Sequence, residues 1–274
     1  MYLILLAVLP AFILCGYVYI KDKVEKEPAG LLLCLLFMGA LSCFPAMVIE
    51  IFLEEFYIEF FPFYEESTLL NFGYFFFVIA LAEEGLKWLI LVFTTSKNKE
   101  FNCLFDGLLY AIFISLGFAA LENILYVIEN GVAVGIMRAV LSVPGHMFFA
   151  VFMGIYYSEW QFKKRLLSVE EKLYKNGYIP KPETSFKADA VLSILIPVTI
   201  HAFYNHCCSS MDSGVVLIIF VALMVYLYIK GFATIRKKSK DDDYTLSSIN
   251  KILFKKYPQL LDCDINEEMF EINI

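Results

Sequence analysis

Long apolar blocks constrain this chain more than any motif does. They lie at roughly 1–20, 29–53, 69–94, 103–128, 132–158, 188–208 and 213–235, each long enough to cross a hydrocarbon layer as a helix. Within that layer every backbone N–H and C=O needs an internal partner, which a helix supplies. The chain therefore reads as an all-α, polytopic transmembrane helical bundle of about seven spans. Composition agrees, with 59% hydrophobic residues, 19% charged and a mean hydropathy of +0.67. A soluble domain carries roughly 45–50% apolar and 25% charged residues. Pro45, Pro144 and Pro197 fall inside blocks, where neighbouring helices can satisfy the freed backbone groups. The first block has no basic leader and no small-residue cleavage site, so it reads as a retained span.

Lysine and arginine set the expected orientation. Lys21, Lys23 and Lys26 follow the first block, and Lys97 and Lys99 the third. Lys163, Lys164, Arg165, Lys172, Lys175, Lys181 and Lys187 follow the fifth, and Arg236, Lys237, Lys238 and Lys240 the seventh. The alternate connections, 54–68, 129–131 and 209–212, contain neither residue, and the first holds Glu54, Glu55, Glu59, Glu65 and Glu66. This unbroken alternation places the N-terminus outside and the C-terminus in the cytoplasm. A transmembrane domain is expected over 1–235 and a cytoplasmic polar tail over 236–274, with a short amphipathic helix near 246–261. Neither that tail nor the charged 159–187 loop is long enough for an independent enzyme domain.

Several function classes drop out. The net charge of -7 comes largely from acidic loops and the C-terminus, and no basic patch with interleaved aromatics points to nucleic acid. The seven cysteines are odd in number and form no CxxC, so no disulfide framework is expected. Phosphate-cradling glycine loops and HExxH are absent. Chemistry, if present, belongs inside the bilayer.

Charged groups at mid-bilayer cost about 2.5–3.5 kcal/mol each on insertion scales, and they default to functional hypotheses. Here they are Glu83, Glu84 and Lys87 in the third block, Asp106 and Glu122-Asn123 in the fourth, and Arg138 and His146 in the fifth. The sixth holds His201, Asn205 and His206. Glu83 and Lys87 share a helix face, as do His201 and Asn205, and Glu84 can also meet Lys87. His206 points to another face. At 1.5 Å per residue, Glu83 and His146 fall roughly 20 Å below the outer surface, and Glu122 and His201 about 10 Å below it.

Carboxylates, imidazoles and a carboxamide together suit amide hydrolysis. A carboxylate can take a proton from water, and an amide or imidazole N–H can donate to the oxyanion. No serine or cysteine is evidently paired with a histidine, so water is the nucleophile this set implies.

The motifs EEGLK (83–87), FAALEN (118–123), an isolated His146 and HAFYN (201–205) occur in order on four successive blocks. This order resembles the PrsW family of intramembrane proteases, within the wider group of CAAX prenyl proteases and bacteriocin-immunity-type membrane proteases. That group carries EExxxR, FxxxH and HxxxN motifs. This chain departs from it in having a lysine, Lys87, three residues after the second glutamate, and Glu122-Asn123 where CAAX proteases have histidine, which is similar to the PrsW branch. The resemblance spans about residues 70–208 and implies a bacterial plasma-membrane protease. It implies a first, extracytoplasmic-side cut in a single-span, membrane-anchored anti-sigma factor, which leads to activation of an extracytoplasmic-function sigma factor in a stress response.

By the same resemblance Glu83 and Glu84 form the catalytic pair, with the choice of base between them open. Glu122 and His146 activate or position water, and His201 and Asn205 stabilise the oxyanion. Lys87, Asn123 and Asp106 are expected to set charge or structure. No cofactor is expected. A zinc site, were there one, would use Glu122, His146 and His201. Each polar group alone also has a structural reading: a buried ion pair, a helix-end residue, a packed histidine. Arg138 is expected to pair or reach outward, and Glu50 to lie near the outer interface. A proton-coupled transporter or a non-enzymatic membrane scaffold are the rival functions. The first lacks an inverted repeat, and the second does not need the paired glutamates.

Overall fold

The computed structural model describes residues 2–262; the remainder of the expected tail, 263–274, lies outside the described residues. The described residues form helices and no sheet. In chain order these are α1 (Tyr2–Lys21), α2 (Ala29–Leu41), α3 (Cys43–Phe60), α4 (Thr68–Tyr74), a π-helical turn (Phe75–Ala80), α5 (Leu81–Thr95) and α6 (Asp106–Val140). Then come α7 (Ser142–Lys175), α8 (Lys187–Ser209), α9 (Gly214–Lys240) and α10 (Thr245–Lys256). Among the described residues five stretches are long and apolar enough to cross a membrane: Ile4–Lys21, Ala29–Phe60, Asp106–Lys175, Lys187–Ser209 and Gly214–Lys240.

Two features separate these five from the seven expected. The Asp106–Lys175 stretch contains Gly131, whose φ of 82° is open to glycine and strained for other residues. The chain folds back there, so that the Gly135 backbone lies against Val127. The expected connection at 129–131 brackets this glycine. The expected third span, by contrast, is built from α4, the π turn and α5, and it carries Glu83, Glu84 and Lys87.

The first half of α6 is the axis of the bundle. From Asp106 to Ala119 every residue is buried, as an all-round apolar helix requires. On one side α2 crosses it at backbone contact. A Cβ on Gly39 would lie 1.9 Å from the Ile114 carbonyl oxygen, and one on Gly117 would lie 1.9 Å from that of Leu36. Small residues at such crossings let helices approach where lipid offers no hydrophobic drive. The outer faces of the peripheral helices are apolar and exposed, for example Phe37, Phe52 and Ile218, as a lipid-facing surface would be.

Beyond Lys163, α7 continues as a helix to Lys175, within the segment expected to be a charged loop. Its Leu166, Val169 and Leu173 form a small separate core with Ile249 and Leu253 of α10. The chain after α9 is therefore docked: Asp242 accepts from the Phe105 backbone N–H at 2.8 Å, and Lys256 pairs with Glu170 at 3.0 Å. Asp106 accepts from the N–H groups of Asn102 and Cys103, which fixes the start of α6, near Glu27 and Asp242.

Candidate active site

The first turn of α5 follows the π turn directly, an irregularity common at functional sites. It turns Glu83, Glu84 and Lys87 inward, and all three are buried. Trp88 donates to Ser193 at 2.8 Å, holding α5 against α8.

Lys87 is the hub of the site. Its Nζ donates to Glu84 Oε1 at 2.8 Å, Glu83 Oε2 at 3.2 Å and His146 Nδ1 at 3.1 Å. An ammonium has three N–H groups and no lone pair, so Lys87 is saturated as a donor and cannot act as a base. The ring of Phe118 lies beneath it, 3.9 Å from the nitrogen.

The histidine tautomers follow from their partners. His146 accepts at Nδ1 from Lys87, so its ring proton is on Nε2, which donates to Glu122 Oε2 at 2.9 Å. His201 donates from Nδ1 to Glu84 Oε1 at 3.0 Å and stacks on Phe149. Its Nε2 has no partner among the described residues. Glu122 also pairs with Arg138 at 2.7 Å, and the guanidinium lies over the Tyr126 ring. Asn123 accepts from Arg138 Nε at 3.3 Å and donates to the Ala7 carbonyl, tying the pair to α1.

These groups border a cavity of about 330 Å³. Glu83, Glu122, His146, His201 and Asn205 line it, whereas Glu84 and Lys87 stand behind that surface. Of the paired glutamates, Glu83 alone therefore faces the space a substrate would enter, with Oε1 free of any partner among the described residues. The cavity also exposes Glu50, expected near the outer interface, and Arg138, expected to pair or reach outward. Glu50 reaches it from α3, and Arg138 reaches it after the fold-back at Gly131. Glu50 has no short-range sequence signal, because its neighbours come from other helices. His206 stands apart, bonded to Asn71 at 2.6 Å. The expected depth difference between His146 and Glu122 is not seen. A count along upright helices omits tilt, the break at Gly131 and the reach of two side chains.

Glu83, Glu84, His146 and His201 bring ligand atoms within 4.8 Å of one another, a donor set that zinc accepts. Glu122, expected in such a set, is instead spent on Arg138 and His146. The Lys87 ammonium stands among the four donors. It occupies His146 Nδ1 while Glu122 takes Nε2, and a dication there would meet a like charge at close range. With that ammonium in place the four residues do not fit a metal ion.

No solved structure matches the chain. Sequence relatives do. A protein named Protease PrsW from Oceanobacillus iheyensis is 30% identical over 233 residues, covering 85% of this chain and 94% of that relative. Proteins of the same name from Geobacillus kaustophilus and Bacillus subtilis are 39% identical over 165 residues and 29% over 228. These cover 60% and 83% of this chain, and 69% and 91% of the relatives. The family model described as PrsW family intramembrane metalloprotease matches residues 27–229, which includes every helix that lines the cavity. The chain is thus a peptidase and a multi-pass bacterial membrane protein, and it belongs to the PrsW family of intramembrane proteases.

Proposed function

We propose that this protein makes the first, extracytoplasmic-side cut in a single-span membrane anti-sigma factor, with water as nucleophile and Glu83 as its base. One observation carries the choice of base: Glu83 lines the cavity, while Glu84 is enclosed behind it, with Oε1 engaged by Lys87 and His201 and Oε2 buried away from that space. Glu83 Oε1 takes a proton from water as the water oxygen attacks the scissile carbonyl. The Asn205 amide donates to the resulting oxyanion. His201 joins it through Nε2 when protonated, and Glu84 balances the imidazolium at Nδ1. The proton then passes to the leaving nitrogen as the C–N bond breaks, giving a carboxylic acid and an amine. Lys87 holds both glutamates and His146 in register. The Arg138–Glu122 ion pair continues this network through neutral His146.

The family's description as metalloproteases and the position of Lys87 disagree. Because the ammonium occupies the donor group, no step here runs through a metal. The chain crosses the bilayer seven times on this reading, with the N-terminus outside, the transmembrane unit over 1–235 and the cytoplasmic part over 236–274. The lysine and arginine alternation supports that orientation, and the fold-back at Gly131 within the 70-residue apolar stretch supports two crossings there. Purified protein incubated with a tagged single-span anti-sigma factor tests the proposal. Glu83→Gln and His201→Ala should each stop the cut in folded protein. Cleavage by Glu83→Gln at the unaltered rate refutes the choice of base.

A further inference from the structure

The cavity is unbalanced in charge. Glu50, Glu83, Glu122 and Glu129 line it, against the single guanidinium of Arg138. Arg138 is committed to Glu122 at 2.7 Å, and Glu83 is committed to Lys87 at 3.2 Å through one oxygen. Glu50 and Glu129 have no ion-pair or hydrogen-bond partner among the described residues. They approach from opposite walls. Glu50 continues the α3 face that presents Cys43, Ala46 and Met47, and Glu129 lies two turns beyond Glu122 on α6.

The surroundings deepen the imbalance. The 54–68 segment, the last turns of α3 and the chain that follows, contributes five glutamates and no lysine or arginine, and the 129–131 turn has none either. One of the five, Glu54, accepts from the Tyr74 hydroxyl, which holds α3 beside the π turn. Carboxylates in a recess with low-dielectric walls focus their field into it. Such a recess attracts a cationic side chain and repels an acidic one, and repulsion contributes to selectivity as much as attraction does.

Resting on the protease reading, we propose that Glu50, assisted by Glu129, is the specificity-determining carboxylate of this site and receives a lysine or arginine side chain of the substrate near the scissile bond. A long basic side chain can run its methylenes along Met47 and bring its charge to Glu50. An arginine adds paired N–H donors that match the carboxylate.

The test uses the full chain in lipid nanodiscs and a panel of single-span reporters. The reporters differ only in carrying Lys, Gln or Glu at each position flanking the cut. In parallel, the same segments are titrated onto Glu83→Gln protein to measure binding without cleavage. The Lys reporter at one position should exceed its Glu counterpart about tenfold in kcat/KM and in affinity. Glu50→Gln should bring that ratio to within about twofold, Glu50→Asp should keep most of it, and Glu50→Lys should invert it. Cleavage by the unaltered chain with equal kcat/KM for Lys and Glu reporters overturns the inference. So does loss of all cleavage in Glu50→Gln with its charge-selective binding intact, which would make Glu50 part of the chemistry. Charge-selective binding with no cleavage of any reporter would instead sink the protease reading and leave the recognition role standing.

Discussion

Replacing Lys87 with methionine probes the arrangement most directly. The side chain is 1% exposed and its three N–H groups serve Glu83, Glu84 and His146, which are all buried. Removing the ammonium leaves Glu84 with His201 as its one hydrogen-bond donor, leaves Glu83 with none, and orphans His146 Nδ1. Breaking a buried ion pair by deleting one partner costs about 3–5 kcal/mol, because the uncompensated charge stays in a low dielectric. Lys87→Met should therefore lose about 3–5 kcal/mol in reversible unfolding, followed in mixed detergent micelles as SDS is added. Neutralising a partner should return part of it. The Glu84→Gln/Lys87→Met double variant should be more stable than Lys87→Met alone by about 1–3 kcal/mol, the coupling expected of groups in one network. Reporter cleavage measured on the same samples should be lost in both, since Glu83 is no longer held. A Lys87→Met protein within about 1 kcal/mol of the unaltered chain would refute the hub assignment.

Lys87→Met should also convert the four-donor group into a zinc site, binding Zn²⁺ about tenfold or more tightly than the unaltered chain by isothermal titration. Stoichiometric zinc in the unaltered protein, with cleavage lost on chelation, would overturn the reading that Lys87 fills that place. Gly117→Ala would drive a Cβ to 1.9 Å from the Leu36 carbonyl oxygen, so it should cost about 3 kcal/mol or more and loosen α2 from α6, visible as lower thermal stability. Glu27, in the connection between α1 and α2, is pushed up from its ordinary 4.5 to about 7 by burial, against the hydrogen bond from Tyr110. The folded chain therefore holds this proton more tightly than the unfolded chain. Glu27's contribution is fully present below 4.5 and is lost as pH rises through about 7. Glu27→Gln should remove that share of the pH dependence of the melting temperature between those values, and an unchanged profile would count against it.

The parts of the site that could be read along the chain are those whose partners are near in sequence. Glu83, Glu84 and Lys87 share a face because they are three and four residues apart, and the ion pairs between them follow from helical geometry. Apolar block length likewise reported a membrane-crossing bundle, and the lysine-free turn at 129–131 marked the fold-back at Gly131. Amphipathic spacing near 246–261 anticipated α10, although its docking on the extension of α7 was not readable, because those partners come from a segment expected to be a loop.

Partners distant along the chain escaped such reasoning. Glu84 meets His201 across 117 positions, and Lys87 meets His146 across 59. Glu122 is taken by Arg138 because the chain reverses between them. These pairings decide which glutamate faces the cavity and which histidine nitrogen carries a proton. They also place an ammonium where a zinc ligand set would otherwise close. Glu50 shows the same limit, since its helix position put it at an interface and only the packing of α3 against α6 turned it toward the catalytic groups. Periodicity within one helix fixes a side chain's face; which other face it meets depends on how whole helices cross, break and tilt.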